Sequence, residues 1–364
     1  MTRELFVGLM SGTSLDGVDA VLVDLGGSVP AVLAHAHHPF PADLRAELLA
    51  LNHAGTNELE RAAASANELA RRYAAAAVDA MARASISNQE VRAIGCHGQT
   101  VRHRPDAGYT IQLGNAALLA ELTGTRVVAD FRSRDLAAGG QGAPLAPAFH
   151  AAVFGGSAEN RAVLNLGGIA NLTCLPASGP IIGFDCGPGN CLMDSWMQSQ
   201  LGKAFDEDGA WAAGSRFGAA LLANFIAEPY FVRPPPKSTG RDLFNEAWLR
   251  QRLPAGTDPQ QVQATLLELT ARGVADALRR WCPGTQRLIV CGGGTRNRRL
   301  MARLSELAAP LPVESSDRFG VDASMVEAVA FAWLAQRTLR EQPGNLPSVT
   351  GARGARVLGA IYPP

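Results

Sequence analysis

The sequence predicts an α/β protein built from two duplicated domains, and three observations lead to this prediction. The chain opens with three short strand-like segments joined by turns and then alternates between helical and strand-like segments. A loop rich in glycine follows at residues 139–144. Beyond this loop the same order begins again, with strands around a glycine turn followed by alternating helices and strands. We therefore expect two similar domains around a cleft.

The domain boundary is placed at this glycine loop. The first domain is expected to span residues 1–138 and to be completed by the C-terminal tail, residues 348–364. Its predicted elements, in order, are strands at 4–7, 18–25 and 31–36, helices at 41–52 and 57–85, a strand at 91–96, a strand at 110–113, a helix at 116–122 and a strand at 127–130. The tail adds a short strand at 356–361.

The second domain is expected to span residues 139–347. Apolar runs bounded by glycine predict its strands at 161–166, 170–175, 181–184 and 288–291. Helical spacing of apolar residues predicts its helices at 191–201, 215–227, 258–281, 297–308 and 322–340. Residues 231–239 contain three consecutive prolines and are predicted to form an ordered loop, because proline prevents a regular helix there.

Composition excludes several classes of protein. The 364 residues carry a net charge of +0, so no electrostatic signature of nucleic-acid or membrane-surface binding is present. No apolar run reaches the roughly 20 residues that a membrane span needs. Residues 1–4 lead into a strand without a signal-peptide pattern. We therefore expect a cytoplasmic protein that binds neither nucleic acid nor membrane. A homodimer is a separate expectation, because composition does not give the oligomeric state.

The cysteines and histidines do not indicate a metal or redox site. None of the six cysteines belongs to a C-x-x-C pair, which excludes zinc and thioredoxin-like interpretations. Most of them lie in apolar, strand-like contexts and are expected to be small core residues. Apart from His97, the histidines lack the spacing of metal ligands.

The turn between the first two strands predicts a phosphate site. Glycine permits close approach of the backbone to an anion, and the hydroxyls of Ser11, Thr13 and Ser14 add donors. An ordinary hairpin turn is the alternative, because glycine and serine are common in turns. The residues assigned to ATP here are Gly12, Thr13, Ser14, Leu15, Asp16, Gly17, Val18 and Asp19.

Two further segments in the second half complete a nucleotide-binding pattern. The glycine turn at 167–168 contributes Asn165, Gly167 and Gly168, and the strand at 288–291 runs into Gly292, Gly293 and Gly294. Bare glycine backbone lets a ribose or a flat ring lie close, and Asn297 begins a helix whose N-terminus favours anions. Each segment alone is common, but three in this order indicate a nucleotide held between two domains.

These motifs resemble the superfamily of acetate and sugar kinases, heat-shock chaperones and actin, and more closely the anhydro-N-acetylmuramic acid kinase family. The resembling stretches are GLMSGTSLDGVD at 8–19, GCHGQT at 95–100, DFR at 130–132, residues 139–147 and 165–171, FDCGPGN at 184–190, CGGGTRN at 291–297, and residues 347–352 and 357–363. The resemblance covers nearly the whole chain. It implies two actin-like (ribonuclease H-like) domains.

The resemblance also implies an activity. The expected substrate is the 1,6-anhydro sugar released when peptidoglycan is recycled, and the expected products are N-acetylmuramate 6-phosphate and ADP, with ATP and Mg²⁺ as cofactors. Many superfamily members carry an aspartate that opens the first phosphate hairpin, but this chain has no acid at residues 7–10. The metal ligand therefore stays open among Asp16, Asp19 and Asp185.

Asp185 is the candidate catalytic base. It follows a predicted strand at the edge where α/β sheets place ligand groups, and the alternative is that it caps the following loop or helix. An inverting glycosidase needs a base to activate water and an acid to protonate the leaving oxygen. Here the γ-phosphoryl group would capture the leaving O6 in place of that proton, so one carboxylate would suffice.

Four residues are candidates for binding the sugar: His97, Gln99, Arg132 and Glu327. The forked guanidinium of Arg132 suits the lactyl carboxylate of a muramic acid, although an ion pair with Asp130 or Asp135 is the alternative. A satisfied structural histidine and a helix-capping acid are the alternatives for His97 and Glu327. Asp194 and Glu207 are other acids in this half, and Asp194 is expected to face solvent or cap a turn.

Two competing functions stay open from the residues alone. One is a kinase of the same superfamily that phosphorylates an ordinary sugar or carboxylate without hydrolysis. The other is an actin- or chaperone-like ATPase, although a chaperone would be expected to continue into a peptide-binding domain beyond residue 364.

Overall fold

The computed structural model describes residues 3–12, 15–156 and 158–364. Contacts between residues divide the chain into two compact units, which we call the first unit (Met1–Val153 with Met325–Pro364) and the second unit (Phe154–Ser324). The sequence placed these limits at 138/139 and 347/348. The observed limits differ because the helices at Ala146–Phe154 and Val326–Leu339 pack largely with the first unit.

The described elements alternate in the predicted manner. The strands are β1 (Leu5–Met10), β2 (Gly17–Asp24), β3 (Ala31–Pro39), β4 (Val91–Cys96), β5 (Gln99–Arg104), β6 (Tyr109–Leu113), β7 (Val127–Ala129), β8 (Arg161–Leu166), β9 (Ile169–Leu175), β10 (Ile182–Pro188), β11 (Arg287–Cys291), β12 (Val313–Ser315) and β13 (Ala360–Tyr362). The α-helices are α1 (Ala42–Ala50), α2 (Glu58–Arg83), α3 (Ala116–Thr123), α4 (Ser133–Ala137), α5 (Ala146–Phe154), α6 (Cys191–Leu201), α7 (Ala210–Ala213), α8 (Ala219–Ile226), α9 (Glu246–Arg250), α10 (Pro259–Trp281), α11 (Arg298–Ala308), α12 (Val326–Leu339) and α13 (Pro347–Thr350).

The same strand arrangement occurs in both units, which confirms the predicted duplication. In the first unit the order is β3-β2-β1-β4-β7-β13, with β1, β2 and β3 antiparallel and β1, β4 and β7 parallel. In the second unit the order is β10-β9-β8-β11-β12, again with three antiparallel strands followed by parallel β8, β11 and β12. This is the ribonuclease H-like arrangement, and β13 adds an antiparallel edge strand to the first copy.

Several elements differ from their predicted bounds. The strand that carries Asp185 continues to Pro188, so Asp185 lies inside β10 and not at its end. Helix α12 begins at Val326 and not at 322, because Asp322 Oδ1 accepts hydrogen bonds from the backbone and the hydroxyl of Ser324 and thereby forms a turn. The strand β5 was missed, and the tail strand is limited to Ala360–Tyr362.

Each unit has its own hydrophobic core. In the first unit α2 buries Leu69 and Tyr73 among the side chains of β1 and β2. In the second unit α10 contacts β9 and β10 and buries Leu266 and Leu269. No helix in the described part of the chain is long and apolar enough to cross a membrane.

Two cysteines depart from the expectation that they fill the core as thiols. Cys174 in β9 and Cys282, which follows α10, form a disulfide whose Cα atoms lie 5.7 Å apart. The remaining cysteines are buried, as predicted: Cys96, Cys186, Cys191 and Cys291. Sequence spacing did not reveal the pair, because its members are 108 residues apart.

Helix α12 contacts the backbone of the central strands β1 and β4 of the first unit directly. A Cβ atom added at Gly8 would overlap the carbonyl oxygen of Ala328, and one added at Gly95 would overlap that of Phe331. Successive side chains of a strand point to opposite faces, so Val7 and Leu9 enter the core under α2 while Gly8 faces α12. Because Gly8 and Gly95 have no side chains, α12 can lie directly against the sheet, and this contact sets the position of Glu327 in its first turn.

Replacing Gly8 with alanine should destabilise the protein by at least about 2 kcal/mol, because the new methyl group would have to displace α12. Gly27→Ala is the matched control, since the nearest atom to its added Cβ would be 3.4 Å away. Urea unfolding monitored by circular dichroism measures both variants. Equal unfolding midpoints for the two variants would contradict the close approach.

Candidate active site

The predicted phosphate turn follows β1 in the first unit. Thr13 and Ser14 lie outside the described residues. Leu15 adopts a left-handed conformation with φ of 55° and donates its N–H to the Gly12 carbonyl at 3.3 Å. Ser11 is buried, and its hydroxyl lies 2.7 Å from the Tyr73 hydroxyl. A hydrogen bond to Tyr73 of the core helix α2 therefore fixes the described part of the turn.

Gln99, the first residue of β5, contacts the same turn. Its Nε2 donates to the Gly12 carbonyl at 3.2 Å, and the side chain is buried. Its Oε1 forms no hydrogen bond with the described residues. The structure thus gives Gln99 a role in fixing the turn, and one buried acceptor remains available to a donor.

The acidic end of the predicted ATP segment continues into β2. Gly17 and Val18 are buried in the pairing of β2 with β3. Asp19 accepts hydrogen bonds from His35 Nε2 and His37 Nδ1, both at 3.0 Å. Burial raises the pKa of Asp19, but the two histidine hydrogen bonds outweigh it and hold the pKa below its usual value. The Asp16 side chain is exposed.

His97 and Arg132 form a buried pair in the first unit. Arg132 donates from Nη2 to His97 Nε2 at 2.8 Å and from Nη1 to the Gly142 carbonyl at 2.7 Å. Burial, together with the charge of Arg132, holds the pKa of His97 well below its usual value, while the nearby Gly98 and Ser11 carbonyls oppose this shift only in part. The imidazole is therefore neutral and accepts from the guanidinium, so His97 orients Arg132.

Arg132 keeps its charge in a place where burial opposes it. Burial lowers the pKa of the guanidinium to about 10, and the charges of Glu327 and Asp135 act in the opposite direction. The two acids considered as ion-pair partners of Arg132 form hydrogen bonds with other residues. Asp130 accepts from Ser133. Asp135 accepts from Gly142, Asn345 and Thr350. The structure therefore brings Arg132, His97 and Glu327 together in one electrostatic group.

Asp185 lies at an irregularity of β10 in the second unit. It pairs with Asn171, the next registered pair is Gly187 with Ala170, and Cys186 is the extra residue of the bulge. Asp185 Oδ2 accepts hydrogen bonds from the Thr239 N–H at 2.9 Å and the Ser238 hydroxyl at 3.0 Å. Its Oδ1 forms no hydrogen bond with the described residues. Bulges of this kind re-aim side chains next to active sites.

The surroundings of Asp185 change its acidity. Burial raises the pKa of the carboxyl, and the donors Thr239 and Ser238 and the charge of Lys237 counteract this only in part. A carboxylate with a raised pKa is a stronger base than an exposed aspartate. Asp185 thus accepts from residues 238–239 and not from the loop or helix that follows it, as the capping alternative had it, and one of its carboxylate oxygens stays available.

The two glycine segments of the second unit adjoin each other. The carbonyl of Gly167 accepts from the Asn190 N–H at 2.9 Å, and that of Gly168 accepts from the Cys191 N–H at 3.1 Å, so the turn is bound to the start of α6. A Cβ added at Gly294 would lie 3.1 Å from Asn190 Oδ1. The glycine turn, the start of α6 and the third glycine segment thus meet around Asn190.

Gly292 and Gly293 differ in what surrounds them. Gly292 has φ of 89°, and a Cβ there would overlap Asn165 Oδ1, a buried oxygen without a hydrogen bond to the described residues. Gly293 has open space around it, with no atom within 4 Å of an added Cβ. Asn297 caps α11 by accepting from the Leu300 N–H at 2.9 Å. These features form a bare backbone surface beside a buried, unpaired acceptor.

Comparison with known proteins settles the relationship. The sequence profile described as "Anhydro-N-acetylmuramic acid kinase" matches residues 4–364. The chain belongs to the anhydro-N-acetylmuramic acid kinase family. The protein of that name from Variovorax paradoxus is 57% identical to this chain, and the match covers 100% of both chains. The one from Bordetella parapertussis is 58% identical, over 99% of this chain and 96% of its own length. The relative from Cupriavidus pinatubonensis is 55% identical and is covered over 98% of both chains. The family predicted from the motifs is confirmed.

The other two acids considered in the second half of this kinase, Asp194 and Glu207, have different surroundings. Asp194, which was expected to face solvent or cap a turn, lies half-buried in the first turn of α6. Burial raises its pKa to about 7, although the charge of Arg241 opposes the shift. Glu207 is exposed at the start of a short 3₁₀ turn. Neither acid contacts Asp185 in the hydrogen bonds of the described residues.

The described residues do not form a metal cage. No group of three or more histidine, cysteine, aspartate or glutamate side chains in this part of the chain could hold a metal ion. The three acids considered as metal ligands have different surroundings. Asp19 accepts hydrogen bonds from histidines, Asp185 accepts them from residues 238–239, and Asp16 is exposed.

Sequence reasoning missed the segment Lys237, Ser238 and Thr239, which it described only as part of an ordered loop. The signal was present: Lys237 is one of only two lysines in the chain and follows three prolines. In the structure Lys237 is buried, and its Nζ donates to the carbonyls of Tyr230 and Phe231 at 3.2 and 3.3 Å.

Proposed function

We propose that this chain is an ATP-dependent kinase that opens 1,6-anhydro-N-acetylmuramic acid with water and releases N-acetylmuramate 6-phosphate, a step of peptidoglycan recycling. Membership of the anhydro-N-acetylmuramic acid kinase family supports the substrate and the reaction. The observation that carries the hydrolytic part is the state of Asp185. One of its carboxylate oxygens is held by two donors, the other forms no hydrogen bond with the described residues, and its pKa is raised.

Asp185 acts as the general base in this proposal. Its Oδ1 accepts a proton from a water molecule while the oxygen of that water attacks the anomeric carbon of the sugar. The bond from C1 to the water oxygen forms as the bond from C1 to O6 breaks. Asp185 therefore needs to be ionised, so activity falls as the pH decreases through its pKa.

The leaving oxygen needs an electrophile in place of a general acid. O6 departs with its electron pair toward the γ-phosphorus of ATP, and the bond between that phosphorus and the bridging oxygen of ADP breaks. The anomeric hydroxyl then contains the oxygen of water, and the phosphate ester contains the former bridging oxygen of the sugar. All atoms of ATP, water and the anhydro sugar are accounted for in ADP and the sugar phosphate.

Binding of the sugar is assigned to the first unit. The guanidinium of Arg132 would bind the lactyl carboxylate, and its fixed orientation on His97 supports this role. Glu327 would accept a hydroxyl hydrogen bond from the sugar. His97 and Gln99 would support the sugar site indirectly, because His97 Nε2 accepts from Arg132 and Gln99 Nε2 donates to the Gly12 carbonyl.

Binding of ATP is assigned to the glycine segments, and the chemistry around them supports it. A buried oxygen without a hydrogen bond to the described residues, Asn165 Oδ1, lies beside Gly292 in the segment proposed for the nucleoside. Such atoms gain a hydrogen bond when a ligand brings a donor, as the ribose hydroxyls and the adenine amino group do. The residues proposed at the phosphates are Gly12, Thr13, Ser14, Leu15, Asp16, Gly17, Val18 and Asp19, and those at the nucleoside are Asn165, Gly167, Gly168, Gly292, Gly293, Gly294 and Asn297.

Mg²⁺ is proposed as the companion of ATP. Magnesium at kinase sites is held largely by phosphate oxygens and water with one or two carboxylates, so it needs no dedicated protein cage. We also propose that the enzyme is a cytoplasmic homodimer that binds neither nucleic acid nor membrane. The neutral net charge supports the last point.

Replacing Gly293 with valine should raise the KM for ATP at least about tenfold, because the branched side chain would occupy space that the nucleoside needs. The fold should survive, since an added Cβ would meet no atom within 4 Å. Gly156→Val is the matched control, with its nearest atom 3.8 Å away. Steady-state kinetics with varied ATP measure the effect, and an unchanged KM in a folded Gly293 variant would exclude this placement.

Asp185→Asn should lower kcat by about 10²–10⁴-fold, because an amide cannot take up the proton of the attacking water. The amide oxygen can still accept from Ser238 and Thr239, so folding and the affinity for ATP should change little. Asp276→Asn serves as the control, because Asp276 forms only an exposed ion pair with Arg279. Coupled ADP-release assays with the anhydro sugar measure turnover. Near-normal kcat in the Asp185 variant would remove it from the role of base.

A further inference from the structure

The loop that contacts Asp185 is anchored by its own buried lysine and by a hydrogen bond to β10. Lys237 is buried, and its ammonium donates to the Tyr230 and Phe231 carbonyls while lying 4.8 Å from the centre of the Tyr230 ring. The Tyr230 hydroxyl in turn donates to the main-chain carbonyl of Asp185 at 2.9 Å. These bonds tie residues 230–237 to the position of Asp185 in β10, so the loop is built around this residue.

Two donors of this loop converge on one carboxylate oxygen of Asp185. The Asp185 N–H donates to the Lys237 carbonyl at 3.2 Å, and the next two residues donate to Oδ2. Because both side-chain bonds go to the same oxygen, they fix the rotation of the carboxylate and leave Oδ1 available. A carboxylate held at neither oxygen would be free to rotate.

The same donors oppose the effect of burial on the charge. Burial favours the protonated carboxyl, whereas hydrogen bonds from Ser238 and Thr239 favour the carboxylate. The other titratable groups that face Asp185 are Lys237, whose charge stabilises the carboxylate, and the neutral Tyr230 and Cys186. Loss of a donor must therefore shift the balance toward the protonated, inactive form.

We propose that Ser238 is a positioning residue for the hydrolytic half of the reaction. Its hydroxyl holds Asp185 Oδ2, so that Oδ1 faces the attacking water and stays ionised at the working pH. This inference rests on the proposed role of Asp185 as the base. It extends that role to a residue that touches the base and is not assigned to the sugar or to ATP.

Ser238→Ala tests the proposal through the pH dependence of kcat/KM for 1,6-anhydro-N-acetylmuramic acid. Removal of the donor should move the acidic limb of the profile to higher pH. It should also lower kcat/KM on that limb by about tenfold, the effect of one lost hydrogen bond to a charged group. The KM for ATP should not change. Ser238→Thr, which keeps the hydroxyl, should restore the limb to the wild-type position.

Ser199→Ala provides the matched control. Ser199 lies in α6 of the same unit, and its hydroxyl donates to the Trp196 carbonyl at 3.1 Å without touching Asp185. This variant should keep the wild-type profile. Circular dichroism and thermal unfolding establish that each variant is folded, which is expected for Ser238 because its side chain is exposed.

The outcomes separate the two hypotheses. A Ser238→Ala enzyme with an unmoved acidic limb would overturn the positioning role, whether or not its activity changes. A raised KM for the sugar with the limb in place would identify Ser238 as a direct sugar contact instead. If Asp185→Asn retains near-normal turnover, the role of Asp185 fails first, and that result is independent of the Ser238 measurements.

Discussion

The carboxylate of Asp185 must stay charged although it is partly buried, and the architecture of the second unit meets this constraint. The bulge of β10 directs the side chain, and residues 238–239 supply donors to one oxygen. The buried ammonium of Lys237 anchors those residues. A base that is partly desolvated is more reactive, but without these donors it would be protonated and inert.

The first unit likewise keeps a buried group charged, but here the charge is the positive one of Arg132. Arg132 is buried, and it is fixed by a neutral histidine and a backbone carbonyl while acidic residues offset the loss of solvent. An arginine held in this way is already oriented before a ligand arrives and loses little side-chain entropy on binding. Its surroundings depend on α12, which carries Glu327 and is seated on Gly8 and Gly95. The polar site is therefore positioned by a purely steric feature of the sheet.

Much of the fold could be predicted because it depends on local patterns. Apolar runs bounded by glycine revealed β8, β9 and β11, and the recurrence of the strand order revealed the duplication. The end of β10 was misplaced because the glycines and proline at 187–189 resemble a loop, whereas the strand pairing continues through them. Such pairing is a tertiary effect that overrides local propensity.

The partners of the site residues were harder to predict than the residues themselves. Asp185, Arg132 and His97 stand out by residue type next to glycine turns and strand ends. Their contacts join residues far apart in the chain: 53 positions separate Asp185 from Ser238, and 35 separate His97 from Arg132. No periodicity encodes these pairs. Gln99 shows the same limit, since its residue type did not reveal the hydrogen bond that it donates to the Gly12 carbonyl, 87 positions away.

Turnover in ¹⁸O-labelled water tests the central claim most directly, because the claim concerns which bond water forms. The account predicts that the label enters the C1 hydroxyl of the product and that the O6–phosphate bridge stays unlabelled. The product must be analysed by mass spectrometry at early times, since a free hemiacetal exchanges its oxygen slowly with water. A phosphorylated product that keeps its anhydro ring, or one whose C1 oxygen carries no label at the earliest times, would contradict the account.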